Sequence, residues 1–187
     1  MDVPRLSSLK GYLLVGAPHV DHAPFQQTVI FLFAHDSSGA MGICINHVFD
    51  QTTLDSFVSE ADEKIHQQLN PLTLFDGGPI ENDRGFIIHT PEYKHQQSVE
   101  VGNAFLVTNT AHFMPQETEE PKHFLFALGY TAWQKDALEE EIQHNLWMLI
   151  PATHHLLFET TPAQKWPLAL HKMGITAPHL IQKAGHA

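Results

Sequence analysis

Four groupings of side chains in this sequence are of types that perform chemistry. His19-Val20-Asp21-His22 places three potential metal ligands within four residues. Zinc donors often come as close pairs, yet Pro18 and Pro24 bracket the group. The helical frame that holds both histidines of H-E-x-x-H on one face is missing. The group therefore reads as a solvated polar loop. No metal is assigned, and His19, Asp21 and His22 are the residues that would supply one. Gly77-Gly78-Pro79 is the second grouping, with Arg84 and His89 soon after it. Successive backbone N–H groups at a glycine turn form an anion nest; the alternative is a tight strand exit needing positive φ. Tyr130 and Trp133, after Gly129, make either an aromatic platform or core packing against a helix. Lastly, His89 and Glu141 would serve a hydrolase as general base and its orienter or acid if they lie within hydrogen-bond reach, or one water apart, in a cleft.

Other chemistry finds no support. There is no G-x-S-x-G elbow, no P-loop and no G-x-G-x-x-G, so no cofactor is expected. Cys44 is the single cysteine and lies in an apolar strand, which reads as a buried inert thiol. Close carboxylate pairs such as Glu139 with Glu141 flank a helix and do not face each other.

Three glycine-built bends must position these groups: HDSSGAMGICIN (His35 to Asn46), LFDGGPI (Leu74 to Ile80) and LGYTAW (Leu128 to Trp133). Around them the apolar pattern predicts strands at residues 12–17, 28–34, 40–46, 72–75, 85–89, 98–101, 104–108, 124–129 and 147–150. The run 28–34 is apolar throughout, as a strand buried on both faces requires. With 40–46 it forms a hairpin over the four-residue loop Asp36-Ser37-Ser38-Gly39. The short strands from 85 to 108 read as an antiparallel meander. Helices are expected at 53–60, 62–69, 133–145, 154–158 and 163–173, with one helical turn at 110–114 and an acidic loop at 116–121. In the 133–145 helix, Leu138, Ile142 and Leu146 make one apolar stripe. Gly174 terminates the last helix as its C′ residue.

A chain of 187 residues with no internal repeat, low-complexity tract or interior linker fits one domain, 1–187. One cysteine excludes an intramolecular disulfide framework and favours a reducing cytoplasm. No signal-peptide pattern opens the sequence, and its apolar runs are too short to span a membrane. Ten Lys and Arg face 21 Asp and Glu, for a net charge of −11. The cations are scattered along the sequence, so direct binding to a nucleic acid is not expected.

These segments also carry a family likeness. Gly16-Ala17-Pro18, Phe25, Val29, His35, Gly39-Ala40-Met41-Gly42, Asn46, Gly77-Gly78-Pro79, Ile88-His89, Gly129-Tyr130, Trp133, Leu138-Glu139, Glu141, Trp147, Phe158, Trp166 and Gly185-His186-Ala187 resemble the AlgH/YqgE family in order and in kind. The likeness extends over nearly the whole chain. Two departures stand out: Ala132 where the family has glycine before its tryptophan, and Asp136-Ala137 where it has Gly-Gln before Leu-Glu. The resemblance implies an α/β (α+β) fold with a strongly curved mixed, largely antiparallel sheet and flanking helices. The family takes its name from a regulator of alginate synthesis, and a transcriptional role has been inferred for it. The resemblance implies no defined activity or cofactor.

The function expected is that of a cytoplasmic, non-enzymatic binding or regulatory protein acting through a protein or small-molecule partner. Its surface would gather Asn46, Gly77, Gly78, His89, Tyr130, Trp133 and Glu141 from the bends. A hydrolase using His89 and Glu141 is the alternative, and a DNA-binding regulator a third reading.

The 15 histidines carry a colloidal prediction. At a reference pKa of about 6.5, roughly three quarters are protonated near pH 6, which cancels most of the negative charge. Light scattering from pH 7.5 down to about 5.5 is expected to show solubility falling as that charge is lost.

Overall fold

The computed structural model describes residues 8–49, 73–113 and 120–175. Nine strands form one sheet: β1 (Tyr12–Gly16), β2 (Val29–Asp36), β3 (Gly39–Cys44), β4 (Leu74–Asp76), β5 (Ile80–His89), β6 (Val99–Val101), β7 (Phe105–Asn109), β8 (Phe124–Gln134) and β9 (Trp147–Pro151). The order is β6-β7-β5-β8-β3-β2-β1-β9, with β4 paired to β8 off this path. All pairings are antiparallel except β4 with β8. Among the described residues two helices accompany the sheet, α1 (Ala137–Gln143) and α2 (Pro162–Lys172), with a 3-10 turn at Thr110–His112 and a π-helical turn at His155–Glu159. The helices expected at 53–60 and 62–69 lie outside the described residues.

Strand alternation sorts the core. On β1 and β2, Leu13, Val15, Val29, Phe31 and Phe33 face one side, while Leu14, Ile30 and Leu32 face the other. The first side also holds Ile88, Phe105 and Val107 from the β5–β7 end of the sheet, closed by Leu156, Leu157, Trp166 and Leu170. The sheet thus curls upon itself as a half-barrel, and the Phe31 and Phe105 rings meet edge-on at 5.8 Å. The second side packs Ala40, Cys44, Trp133 and Trp147 beneath Leu138 of α1.

β8 is the spine. Residues Phe124 to Tyr130 pair with β5, and residues Thr131 to Gln134 pair with β3. β4 lies against Phe126 to Leu128 on the β3 edge. The strand passes through Gly129 at φ 72° rather than ending in a bend there. A side chain on Gly129 would overlap the Gly78 carbonyl oxygen, and one on Gly78 would overlap the Tyr130 carbonyl. Two backbones therefore touch where no Cβ fits.

Several expected boundaries move. The β2–β3 hairpin closes on Asp36 opposite Gly39, leaving Ser37-Ser38 as a two-residue loop. Asp36 Oδ1 tightens it by accepting from the Ser38 N–H at 2.7 Å. β7 lies between β6 and β5, so the short strands are not a sequential meander. The helix expected from Trp133 starts at Ala137, because ladder pairing with β3 holds Trp133 and Gln134 in the strand and Asp136 turns the chain at φ 65°. α2 ends as expected, with Gly174 at φ 78° and the Ile175 N–H returning to the Leu170 carbonyl.

Gly129→Ala combines steric overlap with a left-handed backbone and should lower unfolding free energy by about 2–4 kcal/mol. Gly102→Ala, at φ 62° with nothing near its Cβ, should cost only about 1 kcal/mol. Urea unfolding of the two variants measures the difference.

Candidate functional site

A cleft of about 970 Å³ opens beside β8, between the loop that precedes β2 and the exit of β4. Phe25, Trp133 and Trp147 form one wall and Gly78 and Leu128 another, with Cys44 and Thr28 also lining the cleft. Asp76 and Glu141 contribute carboxylates and His47 an imidazole, and among the described residues no Lys or Arg lines the space.

Glu141 organises the aromatic wall. Its Oε2 accepts from the indole Nε1–H of Trp133 at 2.8 Å and of Trp147 at 2.7 Å. The two indoles meet edge-on at 6.4 Å, and Phe25 packs edge-on against Trp147 at 5.2 Å. Both tryptophans are buried, Trp133 at 9% exposure and Trp147 at 4%, so their N–H groups require an acceptor, which the carboxylate supplies. A second bond fixes α1. The His35 Nδ1 accepts from the Leu9 N–H at 2.9 Å, which leaves its Nε2–H to donate to Glu139 at 2.9 Å. On a short helix with no side-chain N-cap, these bonds set the position of Glu141.

The floor is inert. Burial pushes the Cys44 thiol up in pKa, away from the thiolate that attacks electrophiles. Thr28 Oγ1 donates to the Pro24 carbonyl at 2.6 Å and holds the rim loop.

The sequence-predicted site residues divide. Gly78, Trp133 and Glu141 line the cleft, whereas Gly77, between Asp76 and Gly78, is not one of its lining residues. Gly77 does not form an anion nest: its N–H donates to the Leu128 carbonyl at 2.8 Å and its carbonyl accepts from the Cys44 N–H at 2.9 Å. Pro79 has no N–H to add, and Arg84 is paired with Glu81 at 2.6 Å. Asn46 is occupied internally, accepting from the Val29 N–H at 2.7 Å and donating to the Gln27 carbonyl at 2.8 Å. Tyr130 and Trp133 do not share a platform. Tyr130 packs on Phe86 at 5.5 Å with the first core cluster, whereas Trp133 belongs to the second.

His89 is removed from the cleft altogether. It is fully buried at 0% exposure, between Tyr93 and Phe113. Its Nδ1–H donates to the Thr90 carbonyl at 2.9 Å, so Nε2 accepts from the Thr108 hydroxyl at 2.8 Å. Burial holds its pKa below the usual histidine value. With its lone pair engaged and no bond to Glu141, it forms no acid–base dyad. His19, Asp21 and His22 are exposed. His22 Nδ1 lies 3.9 Å from Asp21, and no group of three metal-ligating side chains converges among the described residues.

Trp147, Phe25, Thr28 and Asp76 were not anticipated. The signal available in the sequence is the pair of tryptophans, Trp133 and Trp147, flanking Glu139-Glu140-Glu141.

The chain matches the family model described as AlgH-like over residues 13–178. It is 35% identical over 188 residues to a UPF0301 protein of Shewanella oneidensis and 32% identical over 191 residues to one of Shewanella frigidimarina. Each alignment covers 97% of this chain and 100% of the relative. The solution structure of the AlgH protein from Pseudomonas aeruginosa superimposes with TM-score 0.70 at 28% identity, covering 100% of this chain and 99% of that one. A crystal structure of a protein from Corynebacterium diphtheriae shares the fold at TM-score 0.69 and 16% identity, over 94% and 91% of the two chains. The chain belongs to the AlgH-like family, whose curled, largely antiparallel α+β sheet it has. Among the described residues no helix is long and apolar enough to cross a membrane.

His89 supplies a pH prediction. Its folded pKa lies below the unfolded value of about 6.5, so the unfolded chain binds the extra proton. The stability it contributes is complete above about pH 6.5 and is lost as pH falls below it. His89→Phe should flatten the drop in urea midpoint between about pH 7.5 and 5.5, even though it is less stable at the upper end.

Proposed function

We propose that this AlgH-like protein is a cytoplasmic, non-enzymatic binding protein whose cleft takes a small organic cation with a flat or apolar body. The supporting observation is the lining: four aromatic side chains (Phe25, Phe49, Trp133 and Trp147) and two carboxylates, with no Lys or Arg among the described residues. Among the described residues Asp76 and Glu141 have no cationic partner. Cations are favoured over aromatic faces, the more so when desolvated. The net charge of −11 adds long-range attraction of the same sign. A regulatory role would follow if the bound cation altered what the protein's surface presents to a partner protein.

The hydrolase reading loses its support because His89 and Glu141 are engaged with different partners. Binding to DNA is also unsupported. Arg84, Lys94 and Lys122 are paired with carboxylates and Lys165 is buried, leaving Lys10, Lys135 and Lys172 as the other described cations.

Titration with tryptamine, followed by tryptophan fluorescence, tests the proposal, with indole-3-acetate as the anionic counterpart. Saturable binding of the amine alone, weakened about tenfold by Asp76→Asn, is expected. Equal response to both compounds, or an unchanged affinity in Asp76→Asn, overturns it.

A further inference from the structure

A second cavity of about 410 Å³ shares no lining residue with the cleft. Phe75, Phe124, Phe126 and Phe158 give it apolar walls, and Lys165 lines it among Thr73, Thr160 and Thr161. Lysine is rarely fully buried unless paired, yet Lys165 is 1% exposed. Its Nζ donates to the Leu157 carbonyl at 2.7 Å and lies 5.1 Å from the centroid of the Phe75 ring. Among the described residues no carboxylate pairs with it. Glu159, at the same cavity, is already held by His154 and His155 at 2.9 Å each. One carbonyl is a poor match for the three donors of an ammonium and a sufficient one for an amine. Burial accordingly lowers the Lys165 pKa to about 7.

We propose that this cavity is a reversible covalent site for an uncharged aldehyde, which the Lys165 amine holds as an imine. A desolvated lysine with a free lone pair is the activated form of this nucleophile. The Nζ lone pair attacks the aldehyde carbon, and the carbonyl π pair moves to oxygen. That oxygen takes up a proton as nitrogen releases one, giving a carbinolamine. Departure of water and loss of the second nitrogen proton form the C=N bond, and hydrolysis reverses it; nothing is oxidised or reduced. The aromatic walls favour an aryl or alkyl body. Glu159 and the negative net charge disfavour aldehydes that carry a carboxylate or phosphate.

Benzaldehyde with sodium cyanoborohydride tests the site on the whole protein at neutral pH, followed by peptide mass spectrometry. The expected result is a benzyl adduct on Lys165 ahead of the exposed Lys94 and Lys122. Its yield should level off near neutral pH, where the exposed lysines remain mostly protonated. Lys165→Met, checked for folding by circular dichroism, should lose the dominant adduct. Adducts that simply follow exposure, with Lys165 unmodified in the folded protein, overturn the proposal. So does a folded Lys165→Met that labels as the parent does. Should Lys165→Met not fold, the position of the adduct in the parent decides alone.

Discussion

The approach of the Gly77-Gly78 backbone to Gly129-Tyr130 is the contact on which the rest of the structure depends. Gly77 gives its N–H to β8 and its carbonyl to the Cys44 N–H at the end of β3. One residue thereby joins three strands, at the point where β8 leaves β4 and takes up β3. Any Cβ at Gly77, Gly78 or Gly129 would overlap a backbone carbonyl, and backbone, unlike a flexible side chain, has little room to yield. The curl of the sheet, the exit of β4 and the mouth of the cleft all follow from the chain being able to cross itself here.

Within that frame the aromatic wall is held by charge rather than by packing alone. A carboxylate accepting two indole N–H groups satisfies donors that would otherwise be buried without partners, and such charge-assisted bonds are about twice as strong as neutral ones. Trp133 comes from β8, Trp147 from β9 and Glu141 from the helix between them. The three-way bond therefore fixes the tertiary position of α1 as well as the ring orientations. The His35–Glu139 bond, two residues earlier on the helix, repeats the device from β2. A wall tied at both ends is organised in the protein alone, which would reduce the ordering cost of the proposed binding.

The strand runs were legible in the sequence because burial on one or both faces writes itself as alternation or as continuous apolar stretches. The glycine bends were legible as close approaches, but not what approached them. Gly129 looked like the end of a strand, because nothing local reveals that ladder pairing with β3 carries β8 on to Gln134. The same pairing took Trp133 out of the helix that its Leu138–Ile142–Leu146 stripe suggested. Of the expected site, Gly78, Trp133 and Glu141 meet at the cleft because they flank one crossing. Asn46, His89 and Tyr130 carry groups suited to recognition, yet their hydrogen bonds and ring contacts are made inside the fold. Residue type tells what a side chain can bind; only long-range pairing tells whether it is already bound.

β4 connects the two cavities. Its side chains alternate, so Phe75 turns to the space around Lys165 while Asp76 turns to the cleft. The strand is three residues long, and its parallel register on β8 is continued by the Gly77 N–H to the Leu128 carbonyl. A shift of one residue would exchange the two side chains between the cavities. It would bring a carboxylate toward the buried amine, favouring the ammonium, and would take from the cleft the carboxylate that faces its aromatic wall. The glycine crossing prevents that slip, because no neighbouring residue could occupy the place of Gly77 or Gly78 without a Cβ meeting β8. The constraint that shapes the sheet is thus also what keeps the buried lysine and the carboxylate-bearing cleft chemically distinct.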